Sequence, residues 1–175
     1  GERVRGKRRS SHRGADYRRS AYDAALMIPG SVIHSMLSPE YTKRPMGCWK
    51  MTAASLALFY QALLHNPGEL WRPDVLADAT GNIRCTLPEP LFGIAANRSI
   101  GLVIAGDDGL HAMRYAGFGQ SCSPSAFGNA GMHMQVAWAD PATGISFAYL
   151  TNGCDADVMR EGTRGVVLAD LAAQV

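Results

Sequence analysis

The feature that most constrains the fold is an alternating apolar pattern near the carboxyl end of the chain. Residues 134–140 read MQVAWAD, in which Val136 and Trp138 fall on one face of an extended strand. Residues 145–151 read ISFAYLT and alternate in the same way after a Pro-Ala-Thr-Gly turn. Two alternating segments around a Gly-containing turn predict an antiparallel hairpin with one face directed toward a core.

A helix is the clearest element upstream of this hairpin. Thr52 is a good N-cap residue, and residues 66–68 (Asn-Pro-Gly) provide a stop signal. The apolar residues between them recur at helical spacing: Leu56, Phe59, Tyr60, Leu63 and Leu64. Such an apolar stripe must be buried, and we expect it to pack on a sheet.

Three weaker elements complete the predicted pattern. Residues 101–105 (GLVIA) predict a short strand that ends in a solvated Gly-Asp-Asp-Gly turn at residues 106–109. A short helix is expected from residue 73 to about residue 79. Residues 155–174 predict a C-terminal helix, although Gly162 and Gly165 weaken its middle.

Composition separates the first residues from the rest. The chain has 175 residues, 47% of them hydrophobic, which is enough for one domain with a core. Residues 1–19 contain eight basic and two acidic side chains, although the net charge of the whole chain is only +2. We expect residues 1–20 to be disordered and residues 21–175 to form the domain. Residues 1–20 could also be non-native coding sequence.

Several classes of partner are not indicated by the sequence. The basic segment has no aromatic stacking pattern, since Tyr17 is its only aromatic residue, so we predict no nucleic-acid partner. No run of eighteen apolar residues occurs, so we predict no membrane span. The four cysteines at positions 48, 85, 122 and 154 lack metal-ligand spacing, and we expect reduced thiols and no metal. The cellular compartment is left open.

The strongest resemblance lies in residues 126–153, which read AFGNAGMHMQVAWADPATGISFAYLTNG. They resemble the serine β-lactamase-like hydrolases (class C-related, penicillin-recognising esterases), in which F-G-H-x-G-x-G-G precedes a D-P-x-x-G turn and an L-x-F-x-Y-x-x-N strand. Residues 52–64 (TAASLALFYQALL) resemble that family's T-x-x-D-L-A-x-F-Y-x-x-L-L helix. The likeness covers roughly residues 45–173, and it implies that residues 21–175 are the C-terminal portion of a β-lactamase-like domain.

The resemblance implies a fold class and a type of chemistry. The fold would be α/β, a partial β-lactamase/transpeptidase-like fold with a mostly antiparallel sheet flanked by helices and a C-terminal helix packed on the sheet. The chemistry would be hydrolysis of a small ester or β-lactam-like substrate through an acyl-serine, without a cofactor. In the family, the nucleophile lies in S-x-x-K and a Tyr in Y-x-N or Y-x-S assists proton transfer.

Neither of these two motifs occurs in the sequence. No serine is followed by a lysine three positions later, and no tyrosine is followed by Asn or Ser two positions later. Both motifs belong upstream of the matching region, so we expect that the sequence begins after them. We therefore assign no catalytic residue and expect the chain alone to be inactive.

The third motif of the family, K-T-G or H-x-G on a strand, is present in altered form. Its position reads Asn129-Ala130-Gly131, so a neutral amide replaces the cation or imidazole. The resemblance implies that Asn129, Ala130, Gly131 and His133 line a substrate site. It places the oxyanion-hole donor at the backbone N–H of Met132.

Two further hypotheses stay open at this point. The chain could be a degenerate, non-catalytic relative, which the altered triplet and the Arg-rich start favour. It could instead be a ligand-binding module that uses the same sheet. If half of a larger domain is absent, apolar faces of the sheet and of the helix at residues 52–65 become exposed, and self-association is expected.

Overall fold

The computed structural model describes residues 51–89, 92–114, 117–131, 135–151, 155 and 157–175. Within these residues it forms an α/β structure with one four-stranded antiparallel sheet, ordered β1-β2-β3-β4, and three α-helices. The helices are α1 (Ala53–His65), α2 (Pro73–Gly81) and α3 (Val158–Ala172). The strands are β1 (Val103–Ile104), β2 (Phe127–Ala130), β3 (Val136–Asp140) and β4 (Ile145–Tyr149).

The predicted hairpin is confirmed and forms β3 and β4, with Trp138 opposite Phe147. Its turn is held by the buried Asp140, whose backbone oxygen accepts from Gly144 N–H at 2.8 Å. The Asp140 carboxylate accepts further hydrogen bonds from Ser123 and from the Ala142 N–H. These bonds explain how the chain can bury a carboxylate at this position.

One face of the sheet packs against α3, as the sequence predicted. Val136 and Trp138 share a core cluster with Ala169 of α3 and with Ala173, which follows the helix as its C-cap. The approach is so close at Gly119 that an added Cβ would lie 2.3 Å from the Asp170 backbone. Small residues therefore allow the helix to lie directly on this face.

The other face packs against α1. Tyr60 of this helix lies in a cluster with Phe127 and Ala137, and its ring stacks on Phe127 with centroids 6.3 Å apart. Hydrogen bonds tie α1 to the hairpin, because Gln61 Nε2 donates to the Gly144 carbonyl and Ser146 Oγ donates to the Ala57 carbonyl. The helix of the predicted Thr52–Asn66 segment thus holds the sheet from the side opposite α3.

The ends of the helices follow the signals in the sequence. The Thr52 side chain accepts from Ser55 N–H at the start of α1, and Asn66 ends the helix in a left-handed conformation. Asp157 caps α3 by accepting from two N–H groups of the first turn. No helix among the described residues is long and apolar enough to cross a membrane.

The predicted strand at residues 101–105 shortens to Val103–Ile104, and the turn after it is more than a solvated loop. Asp108 forms a two-pronged ion pair with Arg114, whose side chain is only 1% exposed. Arg114 also donates to the carbonyls of Ala95 and Ala105. The turn is exposed as expected, and the Asp108 carboxylate additionally neutralises the buried Arg114 guanidinium.

Candidate functional site

The altered triplet lies at one end of the sheet, where β2 ends, β3 begins and β4 ends. Asn129 and Ala130 are the last two residues of β2, opposite Ala137 and Val136 of β3. The next residue, Gly131, donates its N–H to the Gln135 carbonyl at 2.7 Å. The antiparallel strand order therefore brings Asn129, Gly131 and Gln135 together at the same end of the sheet.

The Asn129 side chain is used within the protein itself. Its Oδ1 accepts from the Ala130 N–H at 3.0 Å, and its Nδ2 donates to the Gly101 carbonyl at 3.4 Å. Gly101 precedes the short strand β1, so the amide extends the link between β1 and β2 beyond the two pairs of the ladder. The residue predicted to line a substrate site thus also fastens a strand end.

The remaining predicted residues divide into two groups. Ala130 is half-buried and packs against the α3-side core, whereas Gly131 is exposed. Met132 and His133 lie outside the described residues, so the oxyanion-hole role of the first and the substrate-binding role of the second stay predictions.

Gln135 contributes a contact that sequence reasoning missed. Its Nε2 donates to the Thr151 carbonyl at 2.9 Å, and its Oε1 accepts from the Thr151 N–H at 2.8 Å. The side-chain amide therefore pairs with a backbone peptide as another strand would. The only signal in the sequence was a polar amide at the start of an otherwise apolar strand.

Tyr60 of α1 packs against β2, the strand that carries the first two residues of the triplet. Its side chain is 5% exposed, and burial raises the pKa of its hydroxyl to about 12, although a hydrogen bond with the backbone of Asn129 opposes that rise. The phenol therefore stays neutral at physiological pH. It links the helix of the family pattern to the strand that carries the triplet.

The described residues include six serines, at positions 55, 99, 121, 123, 125 and 146. The hydroxyl groups of their serines are engaged elsewhere, for example Ser146 with α1 and Ser123 with Asp140. The three lysines of the sequence, at positions 7, 43 and 50, all lie outside the described part. No group of three or more His, Cys, Asp or Glu residues that could hold a metal occurs in the part that the structure describes.

The described residues form an antiparallel sheet with a helix on each face, which is consistent with the partial β-lactamase-like fold that the resemblance implies. The comparison with protein families agrees with this resemblance. The β-lactamase family matches residues 3–171, and the chain belongs to this family. The match extends well upstream of residue 45, where the resemblance seen in the sequence begins. No curated protein matches the chain.

Proposed function

We propose that this chain is the C-terminal part of a β-lactamase-related serine hydrolase that cleaves an ester or β-lactam through an acyl-serine. We further propose that the 175 residues alone do not complete this reaction. The observation that carries the proposal is the combination of the triplet strand with a sequence that lacks S-x-x-K and Y-x-N or Y-x-S.

The chemical reason is that acyl transfer needs a nucleophile and a group that removes its proton. A lysine beside the serine normally supplies that base in this family. All three lysines lie outside the described residues, and none of them stands three positions after a serine in the sequence. Backbone donors at the sheet edge could stabilise an oxyanion, but they cannot form the covalent bond that precedes it.

A second candidate, a non-catalytic relative that binds ligands, is favoured by the contacts of Asn129. A substrate-binding residue should direct polar atoms toward the ligand, whereas this amide contacts Ala130 N–H and the Gly101 carbonyl. The change from cation or imidazole to amide also removes the group that would attract a carboxylate. Binding without turnover is the expected behaviour of such a relative.

Hydrolysis assays test the first proposal. The complete chain is incubated with p-nitrophenyl acetate and with a chromogenic cephalosporin, and release of product is followed against a buffer control. We expect no protein-dependent turnover. The matched variant Asn129→His restores the H-x-G pattern and should also be inactive, because the nucleophile is still missing. Saturable turnover by either chain would contradict the proposal.

The second candidate has a separate readout. Isothermal titration of the chain with a stable ester analogue and with an intact penicillin measures binding without requiring chemistry. Saturable binding that Asn129→His alters, without turnover, supports a ligand-binding relative. Absence of both binding and turnover supports a chain that functions only as part of a larger domain.

A further inference from the structure

We propose that Gln135 is a positioning residue of the candidate site. Its side-chain amide binds both peptide groups of Thr151, while its main-chain carbonyl binds Gly131. Gln135 therefore joins the ends of β2, β3 and β4 at the end of the sheet that carries the triplet.

The geometry explains why an amide is required. The β3–β4 ladder ends at the pair Val136 and Tyr149, and Thr151 lies two residues beyond it. The Gln135 amide presents one donor and one acceptor, which match the carbonyl and the N–H of Thr151 at 2.9 and 2.8 Å. A carboxylate lacks the donor, and an apolar side chain lacks both groups.

The position of Gln135 in the chain explains how its hydrogen bonds affect the candidate site. Its carbonyl accepts from Gly131 N–H at 2.7 Å, so any movement of Gln135 also displaces the last residue of the triplet. Gln135 is half-buried, which limits competition by water for these bonds. The triplet is thereby held on one side by Gln135, as it is on the other by the contact of Asn129 with Gly101.

This inference rests on the proposed function for its meaning, because a fixed sheet edge matters most where substrate and oxyanion must meet fixed backbone groups. The hydrogen bonds of Gln135 with Thr151 and Gly131 are themselves a property of the folded chain. They can therefore be tested without turnover, and failure of the hydrolysis prediction would leave the test unaffected.

Amide hydrogen exchange, followed by NMR on the complete chain, provides the test. Exchange at Thr151 and Gly131 is expressed relative to the core amide of Ala139. In Gln135→Met, two hydrogen bonds are lost, and we expect exchange at Thr151 to accelerate about tenfold or more. Exchange at Gly131 should accelerate as well. Gln135→Glu keeps the acceptor for the Thr151 N–H but loses the donor for the Thr151 carbonyl, so exchange at Thr151 should accelerate less than in Gln135→Met.

Gln61→Met is the matched control, because Gln61 also donates to a backbone carbonyl of the hairpin, but at the Gly144 end. It should leave the relative exchange of Gly131 and Thr151 unchanged. Unchanged exchange in Gln135→Met, or equal acceleration in Gln61→Met, would overturn the proposal. If Gln135→Met does not fold, Gln135→Glu decides, since unchanged exchange at Thr151 after loss of the amide donor would show that this donor is not bound there.

Discussion

Tyr60 of helix α1 stacks on Phe127, the first residue of β2, with ring centroids 6.3 Å apart. Two segments that were recognised separately in the sequence, the helix of residues 52–64 and the strand of the triplet, are therefore in direct contact. The position of the triplet thus depends on α1 as well as on the sheet.

The first prediction concerns the hydroxyl of Tyr60. Tyr60→Phe keeps the stack on Phe127 but removes the contact with Asn129, and we expect the free energy of unfolding to fall by about 1 kcal/mol. Urea titration monitored by circular dichroism measures this change. Tyr149→Phe, which removes a half-buried hydroxyl from β4, is the control for a general effect of losing a phenol.

The same residue gives a pH dependence with a defined sign. The pKa of Tyr60 is raised from 10.0 to about 12 in the folded chain, so folding favours the neutral phenol. Its contribution is complete below pH 10 and is lost as the pH rises toward about 12. The stability difference between wild type and Tyr60→Phe should shrink over this interval. A difference that stays constant from pH 9 to 12 would contradict the assignment.

The ion pair of Arg114 and Asp108 leads to a second prediction. Asp108→Asn leaves the buried guanidinium without its carboxylate, and we expect a loss of about 2 kcal/mol, reduced by the partial exposure of Asp108. Denaturant unfolding of this variant measures the loss. Asp107→Asn removes an adjacent, exposed charge and should change stability little. Equal losses of stability in the two variants would show that the ion pair of Arg114 and Asp108 does not contribute to stability.

The pH dependence of this pair has the opposite direction. Hydrogen bonds from Arg114 lower the pKa of Asp108 from 3.8 to about 2. Its contribution to stability is therefore present above about pH 4 and is lost as the pH falls toward 2. The stability gap between wild type and Asp108→Asn should close over that interval. A gap that persists at pH 2 would contradict this account.

The third prediction concerns the reactivity of Cys122. Burial raises the pKa of its thiol to about 11, and the negative charges of Asp140 and Asp170 add to the rise. Alkylation requires the thiolate, so Cys122 should react more slowly with iodoacetamide at pH 8 than the half-buried Cys85. Peptide mass spectrometry measures both rates. The difference should disappear in urea, and equal rates in the folded chain would contradict the burial of Cys122.

The fourth prediction concerns self-association, which the sequence led us to expect through an exposed sheet. Both faces of the described sheet carry a helix, so we place this association on the outer surface of α1, where Leu58 is 68% and Phe59 46% exposed. Leu58→Gln should lower the average mass in sedimentation equilibrium. Leu171→Gln, on the exposed side of α3, is the control. A monomeric wild-type chain would rule the proposal out.

Elements with a strong local pattern were predictable from the sequence. The alternation around residues 141–144 fixed the hairpin, and Thr52 and Asn66 marked both ends of α1 to within a residue. Long-range pairing was not predictable. Arg114 and Asp108 are close in sequence, but nothing local shows that Arg114 is buried against the Ala95 carbonyl.

The candidate site shows the same division. Asn129 and Ala130 lie on a strand, as the family pattern led us to expect, while their role in a substrate site stays a prediction. The contacts of Asn129 with Gly101 and of Gln135 with Thr151 depend on which strand ends become neighbours once the sheet has formed. Sequence spacing does not contain this information, and an amide side chain in a strand has several possible partners.

Covalent acylation tests the central claim most directly. The complete chain is treated with a fluorophosphonate and with a penicillin, and its intact mass is measured before and after. The account predicts an unchanged mass with both reagents, because no serine of the sequence is followed by a lysine at the required spacing. A stoichiometric adduct on one serine would contradict it and would identify a nucleophile of a different kind.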